Sequence, residues 1–348
     1  MRTTGILIAV IAATLATASA QDQPDPLPLP LTNNAVTSVK VQGQTLVYSF
    51  MGLGASKNWD AVKNSAYALN LKYGRWTTIR SIQGSGRLGA TAVSVGEEVF
   101  VMGGYVPDKS GQQAIVADVS VYEPNGLRWY RGPDLPVAVR DAAAGEYRDR
   151  YVYVIGGFST KGPTNAVQVY DTVSKQWAQA TPYPGTAVFG HAGAIVGDSI
   201  IYVDGAKSSG AKTGNVWVSS DECWLGKIDR KDPKKIEWSK LPAHPGPAHY
   251  RIAAVGSDKD GKAYFAGGSA QVYDYNGIGL DGKPAEPSPV VFDYNVKRSE
   301  WETITDKAPN PTMDHRGMAV TSDALIVVGG MGKDQKVEAR VQSLPKEK

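Results

Sequence analysis

One short pattern recurs six times along this chain and limits its fold more than any other feature. Each copy is an apolar run that ends in glycine, and in the first five copies a loop, a second alternating run and a Trp follow. The apolar runs are LVYSFMGLG at 46–54, VFVMGG at 99–104, YVYVIGG at 151–157, IIYVDG at 200–205, AYFAGG at 263–268 and LIVVGG at 325–330. Repeats of this length, built from short alternating runs, are typical of propeller blades. We therefore predict an all-β fold, a six-bladed β-propeller.

The pattern resembles the kelch repeat, and the resemblance covers nearly the whole chain after its first twenty residues. It depends on paired glycines, on an aromatic residue before a turn and on the Trp of each copy. These residues are Gly103-Gly104, Gly156-Gly157, Gly267-Gly268 and Gly329-Gly330, then Tyr122, Tyr170 and Phe292, and finally Trp76, Trp129, Trp177, Trp238 and Trp301. In a four-stranded blade, glycine lets neighbouring strands approach closely and Trp fills the space between blades. Leu53 and Asp204 stand where glycine is expected, so those two blades are expected to be distorted.

The kelch resemblance implies one domain over residues 21–348. Its six blades are expected at about 31–82, 83–136, 137–184, 185–242, 243–306 and 307–348, with residues 22–30 completing the last one. The sixth copy stops without its Trp and outer strand, whereas the extended segment DPLPLPLTNN begins soon after residue 20. We predict that this N-terminal strand closes the last blade, which removes the open edges of the sheet.

The first twenty residues have the character of an export signal. An apolar run at 6–16 follows a basic residue, and Ala18 and Ala20 occupy the small-residue positions of a cleavage site. We expect a signal peptide at 1–20 and a periplasmic or secreted protein without a membrane anchor after cleavage. Cys223 is the single cysteine, so an internal disulfide is excluded. The formal net charge of +3 is too small to favour nucleic acid as a partner.

Ligand binding is expected at one mouth of the central channel, where the chain runs into the innermost strand of each blade. Aligning these six segments places a basic or polar side chain at one shared position. The aligned residues are Asn34, Arg87, Arg140, His191, Arg251 and Arg316. Because a planar guanidinium can hold a carboxylate bidentately, this set favours a small anion such as an acidic carbohydrate. The alternative is that these arginines pair with Asp141, Glu146 and Asp314 and only hold blades together.

All four histidines fall in connections between blades on this same face. They are His191, His244, His249 and His315. We add His249 and His315 to the predicted ligand-binding set, and we predict Glu222, His191 and Glu146 as catalytic residues from their location alone. Longer polar loops carry Trp217, Tyr273 and Tyr275 to the same rim, where aromatic rings suit stacking against sugars.

The chain also resembles the exported bacterial N-acetylneuraminate epimerases, or sialic acid mutarotases, in length, export, blade number and basic channel mouth. This resemblance implies anomer interconversion by a general acid and a general base, with arginines holding the carboxylate. No motif places that family's catalytic acid on this chain. The alternative is a non-catalytic propeller whose rim binds a protein or a glycan.

A more distant resemblance is to galactose oxidase, a kelch propeller with a copper site. The chain contains residue types that can bind copper near the predicted mouth, namely Cys223, His249, Tyr250 and His315. The chain departs from that enzyme, because it is shorter, has six copies instead of seven and contains no Tyr-His dipeptide. The sequence also lacks a phosphate loop, a G-x-S-x-G elbow and a paired-Cys zinc motif. We predict no cofactor and no metal, and copper oxidation remains the remote alternative.

Overall fold

The computed structural model of this protein describes residues 23–214 and 216–347. The signal peptide predicted at 1–20 lies outside the described residues. The described chain is all β, with thirty strands and two single-turn 3-10 helices at Trp59–Ala61 and Lys333–Gln335. Within these residues, no helix is long and apolar enough to span a membrane.

Six antiparallel sheets contain most of the strands and follow the order of the chain. The first sheet consists of β1 (Ala35–Val41), β2 (Gln44–Leu53), β3 (Val62–Asn70) and β4 (Arg75–Ile79). The next strands are β5 (Thr91–Val95), β6 (Glu98–Met102), β7 (Tyr105–Pro107), β8 (Gln113–Ile115), β9 (Val119–Glu123) and β10 (Arg128–Arg131). Of these, β5, β6, β9 and β10 form the second sheet, while β7 and β8 form a separate hairpin.

The third and fourth sheets carry further small sheets in their loops. The third region contains β11 (Val139–Arg140), β12 (Ala143–Tyr147), β13 (Tyr151–Ile155), β14 (Phe158–Ser159), β15 (Gly162–Pro163), β16 (Val167–Asp171) and β17 (Gln176–Ala180). The fourth contains β18 (Ala192–Val196), β19 (Ser199–Val203), β20 (Ala206–Ser208), β21 (Trp217–Ser219), β22 (Cys223–Ile228) and β23 (Ile236–Leu241). The main sheets are β12-β13-β16-β17 and β18-β19-β22-β23, and β11, β14 and β15 pair separately, as do β20 and β21.

The last two sheets complete the described chain. The fifth consists of β24 (Ala253–Ser257), β25 (Lys262–Ala266), β26 (Val291–Asn295) and β27 (Glu300–Thr305). The sixth consists of β28 (Ala319–Val320), β29 (Ala324–Val328) and β30 (Val341–Pro345). The first strands of the six sheets close into a ring: β1 packs against β5, β5 against β12, β12 against β18, β18 against β24, β24 against β28, and β28 against β1. This ring is the propeller predicted from the repeat.

Each recurring Trp lies on the outermost strand of its sheet and packs against a buried apolar cluster. Its indole Nε1 also donates a hydrogen bond to a backbone carbonyl oxygen of the segment that follows the preceding outer strand. The pairs are Trp129 to Arg80, Trp177 to Pro133, Trp238 to Thr181 and Trp301 to Pro242, at 2.7 to 3.1 Å, and Trp76 to Asp25 at 2.8 Å. The Trp therefore fills the space between neighbouring sheets and anchors the chain that joins them.

The N-terminal segment closes the sixth sheet, although its described part forms no strand of that sheet. Leu27 N donates to Ala339 O at 2.7 Å and Leu31 N donates to Glu338 O at 3.1 Å, just before β30 begins. The two leucine side chains are buried between the first and sixth sheets. Asp25 accepts the first indole hydrogen bond, so the segment occupies the place where the other sheets have the end of an outer strand.

The two copies with an interrupted glycine pair behave differently. The pairing of β2 with β3 shifts register between Phe50 and Gly52, which is the distortion expected beside Leu53. In the fourth copy, Asp204 adopts the left-handed φ of +65° and β19 still pairs regularly with β22. The expected distortion is absent there because an Asp side chain tolerates the backbone conformation that glycine usually supplies.

Candidate functional site at the channel mouth

A ring of left-handed residues surrounds the mouth of the channel, with one member from each blade, two positions before the innermost strand in the first five blades and five positions before it in the sixth. They are Asn33, Gly89, Asp141, Gly190, Arg251 and Asp314, with φ between 54° and 68°. Backbone hydrogen bonds run from one member to the next, such as Asp141 N to Gly89 O, Gly190 N to Asp141 O and Arg251 N to Gly190 O, at 2.7 to 2.8 Å. Asn33 N donates to Asp314 O at 3.0 Å. The ring fixes the directions in which the neighbouring side chains leave the backbone.

This ring shows that the single aligned column predicted from sequence is wrong in register. Arg251 is itself a ring member, whereas Arg140 precedes its ring residue and His191 follows one. Arg87 lies two positions before the ring and Arg316 two positions after it. Asn34 follows a ring residue and donates from Nδ2 to Ser49 Oγ at 2.9 Å. The six residues therefore point into different surroundings.

Three of the predicted arginines nevertheless meet in one buried cluster with Asp141 and Asp314. Arg251 donates from Nη1 to Asp314 Oδ1 at 3.0 Å and from Nη2 to Asp141 Oδ2 at 3.4 Å. Arg140 and Arg316 each donate to Asp141 as well. The two aspartate side chains are fully buried, and those of Arg140, Arg251 and Arg316 are 12%, 3% and 4% exposed.

The cluster has an excess of positive charge, because three guanidinium groups share two carboxylates. Burial alone would raise the pKa of Asp141, but the charges of Arg251, Arg316 and Arg140 hold that pKa well below its usual value. The Asp314 carboxylate is also held from the first sheet's side, since Thr32 Oγ1 donates to its Oδ2 and Asn33 Nδ2 donates to its Oδ1, each at 2.8 Å. The Nε atoms of all three arginines are buried and lack a hydrogen-bond partner.

An aromatic pocket lies against the solvent side of this cluster, and we call it the mouth pocket. The guanidinium carbon of Arg140 lies 4.4 Å from the ring centre of Phe158, and that of Arg251 lies 4.8 Å from the ring centre of Tyr250. The space measures about 60 Å³, room for a few water molecules or one carboxylate group. Its walls include Tyr105, Gln113, Phe189, Trp217, Tyr273, Asp274 and Tyr275.

The rim aromatics predicted from sequence therefore lie together, since Trp217, Tyr273 and Tyr275 all line the mouth pocket. Sequence reasoning missed the rings that lie directly under the arginines, including Phe158, Phe189 and Tyr250. Phe189 and Tyr250 each stand immediately before a ring residue. An alignment of the blades on the ring residues would therefore have placed both aromatic residues at the channel mouth. Aromatic faces beside guanidinium groups form favourable cation–π contacts.

The other predicted site residues lie outside the mouth pocket. Arg87 pairs with Asp118 at 3.4 Å. Glu222 accepts hydrogen bonds from Trp224 Nε1 at 2.9 Å and from Thr186 Oγ1 at 3.0 Å. These contacts lie within or beside the second and fourth sheets, so they give Arg87 and Glu222 structural roles.

A central channel of about 220 Å³ runs behind the arginine cluster and is lined by the innermost strands. Glu146 lines it near the turn that follows β12, at the far end from Asp141, and burial raises the pKa of this carboxyl. His191 also lines the channel, and its Nε2 lies 3.0 Å from Ile155 O. Burial lowers the pKa of His191 to about 4. The predicted catalytic residues are thus not gathered around one point.

One group of residues within the described chain has the donors for a metal ion, although the sequence predicted none. One nitrogen each of His244 and His249 and one oxygen of Asp204 lie within 4.8 Å of one another, and all three residues are buried. Of the two histidines named for copper, His249 belongs to this group, whereas His315 Nε2 lies 3.1 Å from Thr312 Oγ1.

The comparisons with known proteins agree with this architecture. A family model described as the KLHDC2/KLHL20/DRC7 Kelch-repeats domain matches residues 35–268. Kelch-like protein terF of Aspergillus terreus is 25% identical over 277 residues, which cover 77% of this chain and 56% of that protein. Kelch domain-containing protein 3 of Homo sapiens is 26% identical over 212 residues, covering 56% of this chain and 52% of that protein. The chain spans about half the length of these curated relatives.

A solved structure, that of YjhT, has the same fold over nearly its full length. The TM-score is 0.73 at 17% sequence identity, and the match covers 93% of this chain and 97% of that one. The family match, the closed ring of antiparallel sheets and the recurring glycine and Trp positions all lead to the same assignment. This chain belongs to the kelch-repeat family.

Proposed function

We propose that this kelch propeller binds a small anionic ligand of the acidic-carbohydrate class in the mouth pocket. The observation that carries the proposal is the unequal charge of the buried cluster, in which three guanidinium groups share two carboxylates. A carboxylate of the ligand would balance the remaining positive charge. Arg140 is the natural contact, because its side chain is the most exposed of the three and lines the pocket.

The walls of the pocket suit the rest of a sugar acid. Trp217 and Tyr275 offer aromatic faces for the apolar side of a sugar ring, while Gln113 and Asp274 offer polar atoms for its hydroxyl groups. The volume of about 60 Å³ fits a carboxylate at the base of the pocket, with the ring of the sugar above it among the rim loops.

The finer form of the proposal is interconversion of the sugar's anomers, as the resemblance to sialic acid mutarotases implies. This reaction needs one group that removes the anomeric proton and another that protonates the ring oxygen. Asp274, an exposed carboxylate on the pocket wall, is our candidate base. The phenol of Tyr250, which lines the pocket beside Arg251 and is protonated at neutral pH, is our candidate donor. Glu222, His191 and Glu146 have no such place in the pocket.

The test compares wild type with Arg140→Gln and the control Arg128→Gln, whose side chain is exposed and pairs with Glu123. Calorimetric titrations would use N-acetylneuraminate, glucuronate and glucose, and NMR would measure anomer exchange. We expect the acidic sugars to bind wild type and the control alike. Arg140→Gln should bind them roughly 10- to 100-fold more weakly, the usual value of a lost hydrogen bond to a charged group.

Equal binding of glucose and the acids, or an unaffected Arg140→Gln, would contradict the charge argument. Binding without faster anomer exchange would retain the ligand class and remove the catalytic form of the proposal.

A second candidate function is a protein-binding scaffold. It is favoured by the nearly complete burial and pairing of Arg251 and Arg316, which link the third, fifth and sixth sheets. Val218, 37% exposed on the rim hairpin beside Trp217, would belong to the binding surface. Failure of every sugar in the titrations would leave this function as the better explanation of the rim.

A further inference from the structure

The group formed by Asp204, His244 and His249 has an unusual arrangement of protons. His244 Nδ1 lies 2.9 Å from the carbonyl oxygen of Pro245, which can only accept, so Nδ1 carries a hydrogen. His244 Nε2 lies 2.8 Å from Asp204 Oδ2. A neutral His244 would then direct a nitrogen lone pair at a carboxylate oxygen. The contact is stable only with a proton or a metal cation between the two atoms.

His249 adds a second nitrogen to the same point. Its backbone N donates to Asp204 Oδ2 at 2.7 Å, and its Nε2 lies 2.9 Å from Ser288 Oγ. Its other ring nitrogen, Nδ1, is 3.8 Å from Asp204 Oδ2 and has no hydrogen-bond partner. Asp204 Oδ1 is likewise buried without a partner. Buried polar atoms are rarely left in this state.

We propose that Asp204, His244 and His249 bind a divalent transition-metal ion of the zinc class, through one carboxylate oxygen, His244 Nε2 and His249 Nδ1. The metal takes the place of the proton between His244 and Asp204. Two imidazoles and a carboxylate form a recognised ligand set for such ions. The contacts of His244 with Pro245 and of His249 with Ser288 orient both rings, as hydrogen bonds at the outer nitrogen usually do for metal-bound histidines.

The distances allow this coordination with small movements. Metal–ligand bonds of about 2.0 to 2.2 Å in a tetrahedral site put neighbouring ligand atoms roughly 3.3 to 3.6 Å apart. The two contacts of Asp204 Oδ2, 2.8 Å to His244 Nε2 and 3.8 Å to His249 Nδ1, lie on either side of that range. The side chains are at most 2% exposed, so the site is closed to bulk solvent, and the unpartnered Asp204 Oδ1 or one enclosed water would supply the fourth tetrahedral ligand.

The position of Asp204 in the repeat also distinguishes this blade. Its backbone N donates to Glu222 O, and the corresponding N–H groups of Gly103, Gly156, Gly267 and Gly329 make the same kind of bond at the ends of their strands. The carboxylate thus occupies a glycine position in one blade and contacts a connection that contains two histidines. A metal here would tie the end of β19 to the segment that leads into Tyr250 and Arg251 of the mouth pocket.

The experiment uses the mature chain without an affinity tag, freed of metal by a chelator and then titrated with Zn²⁺ and, separately, Co²⁺. Bound metal is measured by elemental analysis after gel filtration, coordination by the visible absorption of Co²⁺, and stability by thermal unfolding. We expect one ion per chain, a raised Tm and weaker binding at acid pH, where protons compete for His244.

Asp204→Gly introduces the residue found at this position in four of the other five blades, so it should fold and should bind Zn²⁺ more than about 100-fold more weakly. Ser288→Ala keeps all three metal ligands but removes the hydrogen bond that orients His249. Its affinity for Zn²⁺ should be roughly 10- to 100-fold lower than that of wild type. The control His191→Gln, which removes a buried histidine outside the group, should bind one ion as wild type does.

Two results would overturn the proposal. One is the lack of a stoichiometric ion in folded wild type after loading, which would leave the group as a protonated His244 paired with Asp204. The other is equal Zn²⁺ binding by wild type and Asp204→Gly.

Discussion

Histidines on one face of the propeller have opposite charge preferences because their immediate neighbours differ. His191 and His315 are buried beside neutral oxygen atoms, and burial lowers the pKa of each to about 4. Burial acts in the same direction on His244, but the hydrogen bond and charge of Asp204 outweigh it and raise the pKa of His244 above its usual value. The sequence showed that all four histidines lie in connections between blades. It did not show which of them faces a carboxylate.

The buried neutral histidines predict a loss of stability in mild acid. Between about pH 6.5 and 4, the unfolded chain binds protons that folded His191 and His315 exclude, so the free energy of unfolding should fall as the pH decreases. In the metal-free protein, His244 has the opposite effect on stability: its contribution is full below pH 6.5 and declines as the pH rises through its raised pKa. Urea unfolding of wild type and His191→Gln at pH 7 and 4.5 isolates one histidine. We expect the free energy of unfolding to fall by about 1 to 3 kcal/mol more in wild type than in the variant over this pH interval. Identical decreases would contradict the lowered pKa of His191.

At the scale of single elements, the N-terminal segment shows how a short alternating pattern can act without becoming a strand. The leucines of DPLPLPL alternate in environment: Leu27 and Leu31 are 3% and 0% exposed, whereas Leu29 is 43% exposed. The prolines between them cannot donate backbone hydrogen bonds, which limits pairing with β30. Closure of the sixth sheet therefore depends on two side chains and a few backbone contacts.

This arrangement predicts unequal effects of three equivalent substitutions. Leu27→Ala and Leu31→Ala should each lower the free energy of unfolding by about 2 to 5 kcal/mol, because each leaves a cavity between the first and sixth sheets. The matched control Leu29→Ala should change it by less than about 0.5 kcal/mol. Urea denaturation measures all three. Similar small effects at the three positions would mean that the segment does not close the ring in solution.

At the scale of the whole molecule, the buried arginine cluster joins sheets that are far apart in sequence. Asp141 leads into the third sheet, Arg251 into the fifth and Arg316 into the sixth, and their side chains meet at the channel mouth. Buried ion pairs contribute little net stability, but the loss of one partner leaves an uncompensated charge. The stability of the protein should therefore depend both on substitutions in this cluster and on anions bound beside it.

Asp141→Asn tests this sensitivity. Asn accepts the left-handed backbone at φ of 54°, so the backbone ring should persist, but three guanidinium groups would then share one carboxylate. We expect a loss of about 3 to 5 kcal/mol in the free energy of unfolding, partly restored by sulfate or an acidic sugar. The control Asp134→Asn, at an exposed ion pair, should change stability by less than about 1 kcal/mol. A small loss at Asp141 that sulfate does not alter would count against an excess of buried positive charge.

The sequence by itself determined the propeller, because each blade repeats one local pattern of alternating strand, close-packed glycine and Trp between sheets. A pattern that recurs six times can be recognised even when the sequence of a single copy differs from the others, as in the run that contains Asp204. It also determined that basic and aromatic side chains collect at one mouth of the channel.

Only the tertiary structure decided which of those side chains meet. The turn before each innermost strand uses Asn, Gly, Asp or Arg in the left-handed conformation, so the alignment of one blade with the next shifts by one to three residues without a clear sign in the sequence. Those shifts separate Arg87 from Arg140, Arg251 and Arg316, and they bring the last three against Asp141 and Asp314. Contacts between sheets distant in the chain depend on ring closure, which is a property of the assembled fold and not of any one repeat.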